Sequence, residues 1–167
     1  MAAMNYDALI AQAESLIRNV PYVTANLANL SALLYTSLKN INWAGFYLME
    51  NGKLVLGPFQ GNPACIEIPL GKGVCGTAAK EDKTLVVPDV HLFAGHIACD
   101  SASLSEIVVP LHCGGAVVGV LDIDSPILDR FTEEDRKGLE QFAATVERMQ
   151  YPCYPKCCFQ AYQKFLW

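Results

Sequence analysis

At 167 residues and 52% hydrophobic, the chain can bury one substantial core but is too short for two ordinary domains. A formal charge of −5 without a Lys/Arg cluster argues against nucleic acid, and no apolar run approaches the roughly 20 residues of a membrane span. Asp7 and Glu14 interrupt the stretch where a secretory signal would be continuous, and seven cysteines cannot all pair within one chain; the expected home is the cytoplasm.

Leu9, Ile10, Ala13, Leu16 and Ile17 recur at helical spacing, and that pattern stops before Pro21. Leu27, Leu30, Leu34 and Leu38 give a second helix, and both helices are expected to pack on each other or on a partner subunit. Residues 42–50 read as a strand, with Trp43, Gly45 and Tyr47 on one face and Ala44, Phe46 and Leu48 on the other. Asn51-Gly52 is a two-residue hairpin turn, since both residues tolerate positive φ, and Lys53–Leu56 pairs back. Residues 65–70 form a further strand, closed by Gly71-Lys72-Gly73, and a short helix over 74–79 follows. Thr84–Val87 is a strand ended by Pro88-Asp89, and residues 90–103 show no sustained period, a loop length usually tied to function or disorder. Ser105–His112 and Ala116–Asp124 are adjacent strands joined across Cys113-Gly114-Gly115. Thr132-x-x-Asp135 opens a last helix, whose buried stripe is Leu139, Phe142, Ala143 and Val146. The pattern is α+β: a central antiparallel sheet with the N- and C-terminal helices packed on one side. Residues 1–150 form one domain, and 151–167, rich in cysteine and aromatic residues, is a tail to which no fold is assigned.

Chemistry concentrates in two sets. Asp122 and Asp124, two apart on a strand, project from the same face about 7 Å apart, and Glu106 on the neighbouring strand adds a third acid. Such a set repels itself unless an amine substrate, a metal ion or a raised pKa compensates; an ordinary solvated strand end is the plainer explanation. Among the thiols, Cys75 sits at a helix start beside Lys72, where a dipole and a lysine lower a thiol pKa. Cys99 follows His96 by three residues in the aperiodic loop, and Cys65 opens a strand. Any one of these could be a small buried hydrophobe instead. No close Cys-x2-Cys pair recommends zinc, so neither metal nor cofactor is expected. Trp43 and Tyr47 share a face and could wall a pocket, or simply pack in the core.

Residues 42–48 (N-W-A-G-F-Y-L), 71–78 (G-K-G-V-C-G-T-A), 96–100 (H-I-A-C-D), 105–111 (S-E-I-V-V-P-L) and 119–126 (G-V-L-D-I-D-S-P) resemble, in order and spacing, the free methionine-(R)-sulfoxide reductases built on the GAF domain. The resemblance spans about residues 5–149. It implies a GAF-type fold, Cys99 as nucleophile and Cys65 as its resolving partner, with Cys75 the family's third cysteine and the attacking residue in some members. It further implies that Glu106, Asp122 and Asp124 hold the substrate's ammonium and the sulfoxide oxygen, and that Trp43 and Tyr47 surround its methyl and sulfur. Thioredoxin is the implied reductant, free methionine-(R)-sulfoxide the substrate, and a homodimer the expected assembly. Ala94 and Leu104 depart from the Pro and the polar residue of the family pattern, and the tail has no counterpart in it. The rival functions are a non-catalytic GAF sensor of a small ligand and a metal-dependent protein.

Overall fold

The computed structural model describes residues 4–95 and 102–149. His96, Cys99 and the 151–167 tail lie outside the described residues.

Six strands form one antiparallel sheet in the order β3-β2-β1-β6-β5-β4. They are β1 (Trp43–Glu50), β2 (Lys53–Gly61), β3 (Glu67–Pro69), β4 (Leu85–Val87), β5 (Ser105–Cys113) and β6 (Ala116–Ser125). The β1–β2 hairpin turns at Asn51 and Gly52, with φ of +50° and +80° as the sequence requires. Helices α1 (Tyr6–Ile17), α2 (Val23–Ser37) and α4 (Glu133–Glu147) bury one side of the sheet. There Leu9, Leu27, Leu30, Leu34, Leu139 and Phe142 meet Ala44, Phe46, Leu121 and Ile123. The short helix α3 (Gly73–Glu81) covers the opposite side, over Trp43, Tyr47, Val108 and Val120.

The fold is therefore α+β of the expected kind, with both predicted faces of β1 where alternation put them. The N-terminus of α4 carries a capping box, Thr132 and Asp135 each accepting from the other's backbone N–H. Asp135 also accepts from the Tyr6 hydroxyl at 2.7 Å and pairs with Arg130 at 3.1 Å, which fastens α1 to the start of α4. Four expectations are corrected. Leu16 is 42% exposed, and Tyr6, Leu9 and Ala13 carry the buried stripe of α1. Strand β2 runs on to Gly61 through Gly57-Pro58, which bulge opposite Phe46: Gly45 pairs with Phe59 and Tyr47 with Leu56, so β2 carries one extra residue there. The strand expected over 65–70 shrinks to Glu67–Pro69, and Cys113 pairs with Ala116 at the end of β5, so the turn itself is Gly114-Gly115.

Among the described residues no helix is long and apolar enough to cross a membrane.

Candidate active site

Register across the sheet assembles the site. Trp43 pairs with Asp124, Asp124 with Glu106, and Glu106 with Val87, so these side chains form one row across β1, β6, β5 and β4. The next row on the same face runs Gly45, Asp122, Val108 and Leu85. Helix α3 lies over these rows and lowers Cys75 onto the acids. The Cys75 thiol donates to Glu106 Oε1 at 3.8 Å, and Cys75 Sγ and an oxygen of each of Glu106 and Asp122 lie within 4.8 Å of one another. All three side chains are buried, at 4%, 6% and 6% exposure.

Electrostatics follow from that burial. Desolvation, then Asp122 and Asp124, push the Glu106 carboxyl well above its ordinary range. Desolvation raises Asp122 to about 6, against hydrogen bonds from Cys75 and Glu106 that favour its ionised form. Among the described residues no ion pair reaches Glu106 or Asp122, and Asp122 Oδ1 has no hydrogen-bond partner. Two buried acids without a cation therefore share an environment that favours a proton on one of them and a positive ligand beside the other.

Cys75 differs from the sequence expectation of an acidic thiol. It does sit in the first turn of α3, but burial, followed by Asp122 and Glu106, raises its thiol well above the ordinary value, and Lys72 is exposed. The desolvation and two acids outweigh one helix end, whose effect is worth at most about 2 kcal/mol. Cys65 is disulfide-bonded, whereas the buried Cys75 keeps its thiol.

Beside the acids stands a stack of rings. Trp43 lies 5.9 Å from Tyr47 at 23° between planes, and 5.2 Å from Phe59 at 12°. Phe59 is not among the residues that the sequence points to, because the extra residue of β2 at Gly57-Pro58 sets it opposite Gly45, a register that alternation from the hairpin does not give. Gly45 is required there: a Cβ at this position falls 2.3 Å from the Cβ of Phe59 and 2.8 Å from the Trp43 ring. The Tyr47 hydroxyl, raised by burial and then by Asp122, stays protonated as a donor.

The site thus joins an apolar wall to an acidic corner, suited to a small molecule with one cationic and one apolar end. Cys75, Glu106 and Asp122 could also converge on a metal ion, which would first have to displace the thiol proton.

The GAF domain family model matches residues 16–148. The free methionine-R-sulfoxide reductase of Escherichia coli K12 is 58% identical over 125 residues, which cover 75% of this chain and 76% of the relative. A Staphylococcus aureus structure described as fRMsr in complex with substrate superposes with a TM-score of 0.86 at 52% identity, covering 90% of this chain and 99% of that one. The free methionine-R-sulfoxide reductase of Neisseria meningitidis, also in complex with its substrate, gives 0.84 at 42% identity over 89% and 92% of the two chains.

Proposed function

The chain belongs to the free methionine-R-sulfoxide reductase family of GAF-domain proteins, and from that premise we propose that it reduces free methionine-(R)-sulfoxide to methionine with thiols as the electron source. The observation that carries this reading is the buried pair Glu106 and Asp122, which no ion pair among the described residues reaches, beside the Trp43–Tyr47–Phe59 wall. A free amino acid suits this corner, since its ammonium answers the ionised acid. Within a polypeptide that ammonium is lost, so methionine sulfoxide in proteins is a poor substrate.

In the proposed reaction the Cys99 thiolate attacks the sulfoxide sulfur, and Glu106, held protonated by its surroundings, hydrogen-bonds and protonates the oxygen. The sulfoxide sulfur gains two electrons and leaves as methionine; the Cys99 sulfur loses two and keeps the oxygen as sulfenic acid. Asp122 and Asp124 face the ammonium, and the rings hold the methyl and sulfur. The Cys65 thiol then condenses with the sulfenic acid, giving a disulfide and water, and thioredoxin restores both thiols by exchange. The half-cystine at Cys65 supports its place in that disulfide. Cys75, neutral and donating into the acids, serves here as a hydrogen-bond donor rather than as the attacking thiol. The reading includes residues 1–150 as the functional domain with 151–167 appended, a cytoplasmic setting in which thioredoxin is reduced, and a homodimer, for which exposed Leu16 on α1 and Tyr35 on α2 offer apolar contact.

A coupled thioredoxin assay with the separate epimers of free methionine sulfoxide tests the proposal. Turnover of the R epimer with little of the S epimer is the expected result. No R-epimer turnover with either thioredoxin or dithiothreitol overturns it, and leaves the ligand-sensor reading in its place.

A further inference from the structure

Buried Trp and Tyr rings must find partners for their polar atoms, and the choice of partner is informative. The Tyr47 hydroxyl donates to the backbone carbonyl of Cys65 at 2.9 Å, and the Trp43 indole N–H donates to the carbonyl of Asn62 at 3.2 Å. Both acceptors lie in the connection between β2, which ends at Gly61, and β3, which begins at Glu67. The β2–β3 ladder pairs Lys53–Val55 with Glu67–Pro69 and so does not reach residues 62–65. Two rings rooted in the central strand β1 therefore grip an out-of-ladder segment that carries a thiol.

We propose that Trp43 and Tyr47 are positioning residues for Cys65, holding the Asn62–Cys65 backbone so that the Cys65 thiol is presented to its oxidised partner. This rests on the reading above, in which Cys65 resolves the sulfenic acid on Cys99. The step they assist forms the Cys65–Cys99 S–S bond and breaks the S–O bond of the sulfenic acid; the hydroxyl leaves with the Cys65 thiol proton as water, and no further oxidant is needed. Tyr47 suits the task because the same ring that borders the acids ends on the Cys65 carbonyl, and its place is fixed by the stack on Trp43, itself braced by Phe59. Closure of a bond between the Cys65 thiol and the sulfenic acid is sensitive to small displacements, so loss of one grip should appear as a slower resolving step.

The experiment is a single turnover of the fully reduced, full-length protein with free methionine-(R)-sulfoxide. Methionine release and sulfenic acid, trapped by dimedone and weighed by mass spectrometry, are followed together. Tyr47→Phe keeps the ring and removes one hydrogen bond, so the sulfenic acid should persist about three- to tenfold longer than in the wild type, relative to methionine release. Trp43→Phe should act in the same direction. A second measurement needs no substrate: in glutathione redox buffers the equilibrium constant for closing the Cys65 disulfide should fall by a similar factor in Tyr47→Phe. Unchanged sulfenic acid lifetime and unchanged disulfide equilibrium overturn the inference, even if the variant melts at a lower temperature. Absence of methionine release from the wild type overturns the functional reading instead, and the glutathione titration still decides whether Tyr47 positions Cys65.

Discussion

On the helical side of the sheet, Leu27, Leu30, Leu34, Phe142 and Phe46 fill space with carbon, and its one buried carboxylate among the described residues, Asp135, is matched by Tyr6 and Arg130. On the α3 side, the same strands turn Trp43, Tyr47, Glu106 and Asp122 inward beneath a buried thiol. Alternation along β1, β5 and β6 assigns each residue to one side or the other, so the two faces can differ completely in chemistry while sharing every backbone hydrogen bond. Labour is divided between them: one face stabilises the fold, and the other tolerates desolvated acids because the first can carry them.

The sharpest test of that division removes chemistry without touching the helical core. Cys99→Ser should abolish turnover and sulfenic acid formation, because a hydroxyl is a far weaker nucleophile than a thiolate. Cys65→Ser should release about one equivalent of methionine and then stall, as attack precedes resolution. Rapid-quench measurement of methionine separates the two. Full activity in Cys99→Ser beside an inactive Cys75→Ser would move the attacking role to Cys75, against the buried, protonated state of that thiol.

The reverse experiment strikes the helical face. Phe142 is fully buried against the sheet, and Phe142→Ala should cost about 3–5 kcal/mol from lost transfer energy plus the cavity left behind. Urea unfolding measures the loss. Under conditions where the variant remains folded, its kcat/KM should stay within about threefold of the wild type, since no atom of Phe142 borders the α3 face. A tenfold fall in the folded variant would show that the faces are coupled.

These contrasts were largely legible in the sequence. Period-two alternation sorted Trp43 and Tyr47 from Ala44 and Phe46, and the two-residue spacing of Asp122 and Asp124 placed both acids on one face, because a strand leaves no other option. The Asn51-Gly52 turn and the Thr132–Asp135 cap are local chemistry and read directly. What escaped depends on contacts between distant segments. The bulge that brings Phe59 over Gly45 sits at Gly57-Pro58, a pair that imitates the end of a strand when only the local sequence is read. The thiol of Cys75 looked acidic because its helix start is visible in the sequence, whereas the acids beneath it arrive from strands about thirty to fifty residues away.

The acids themselves allow a prediction on both activity and stability. Folded Asp122 keeps its proton up to about pH 6, against 3.8 for the free side chain. The folded state therefore binds more protons than the unfolded chain across that window, and stability falls as pH rises through it. Above the window the ionised, buried carboxylate weighs against the folded state. Asp122→Asn should accordingly unfold at higher urea than the wild type at pH 8 and lose this advantage at pH 4, while kcat/KM falls at least about tenfold. Asp124→Asn and Glu106→Gln should lower kcat/KM similarly, and Asp129→Asn, outside the site, should not. Wild-type kcat/KM in all three site variants would mean that the acids do not hold the substrate.

The smallest expected effect concerns His112, which joins the two faces at the end of β5. Its Nε2 meets Asp82 Oδ1 at 2.6 Å, at the C-terminus of α3, and its Nδ1 meets Glu147 Oε1 at 2.8 Å, at the end of α4. The hydrogen bond to Asp82, with that to Glu147, raises the imidazole above its ordinary 6.5, although partial burial opposes this. A base raised on folding gives stability that is fully present below the unfolded value and is lost as pH rises through the folded one. The ring and Asp82 are partly exposed, at 37% and 56% of their side-chain surface, so solvent screening limits the contribution to about 0.5–1 kcal/mol. His112→Gln should therefore lower stability by about that amount at pH 5.5 and by progressively less toward pH 9, with no change in the acid-dependent slope set by Asp122. Urea melts across pH test the point. A loss of equal size at both ends of the range would assign His112 to packing, and the two faces would then be joined by the sheet alone.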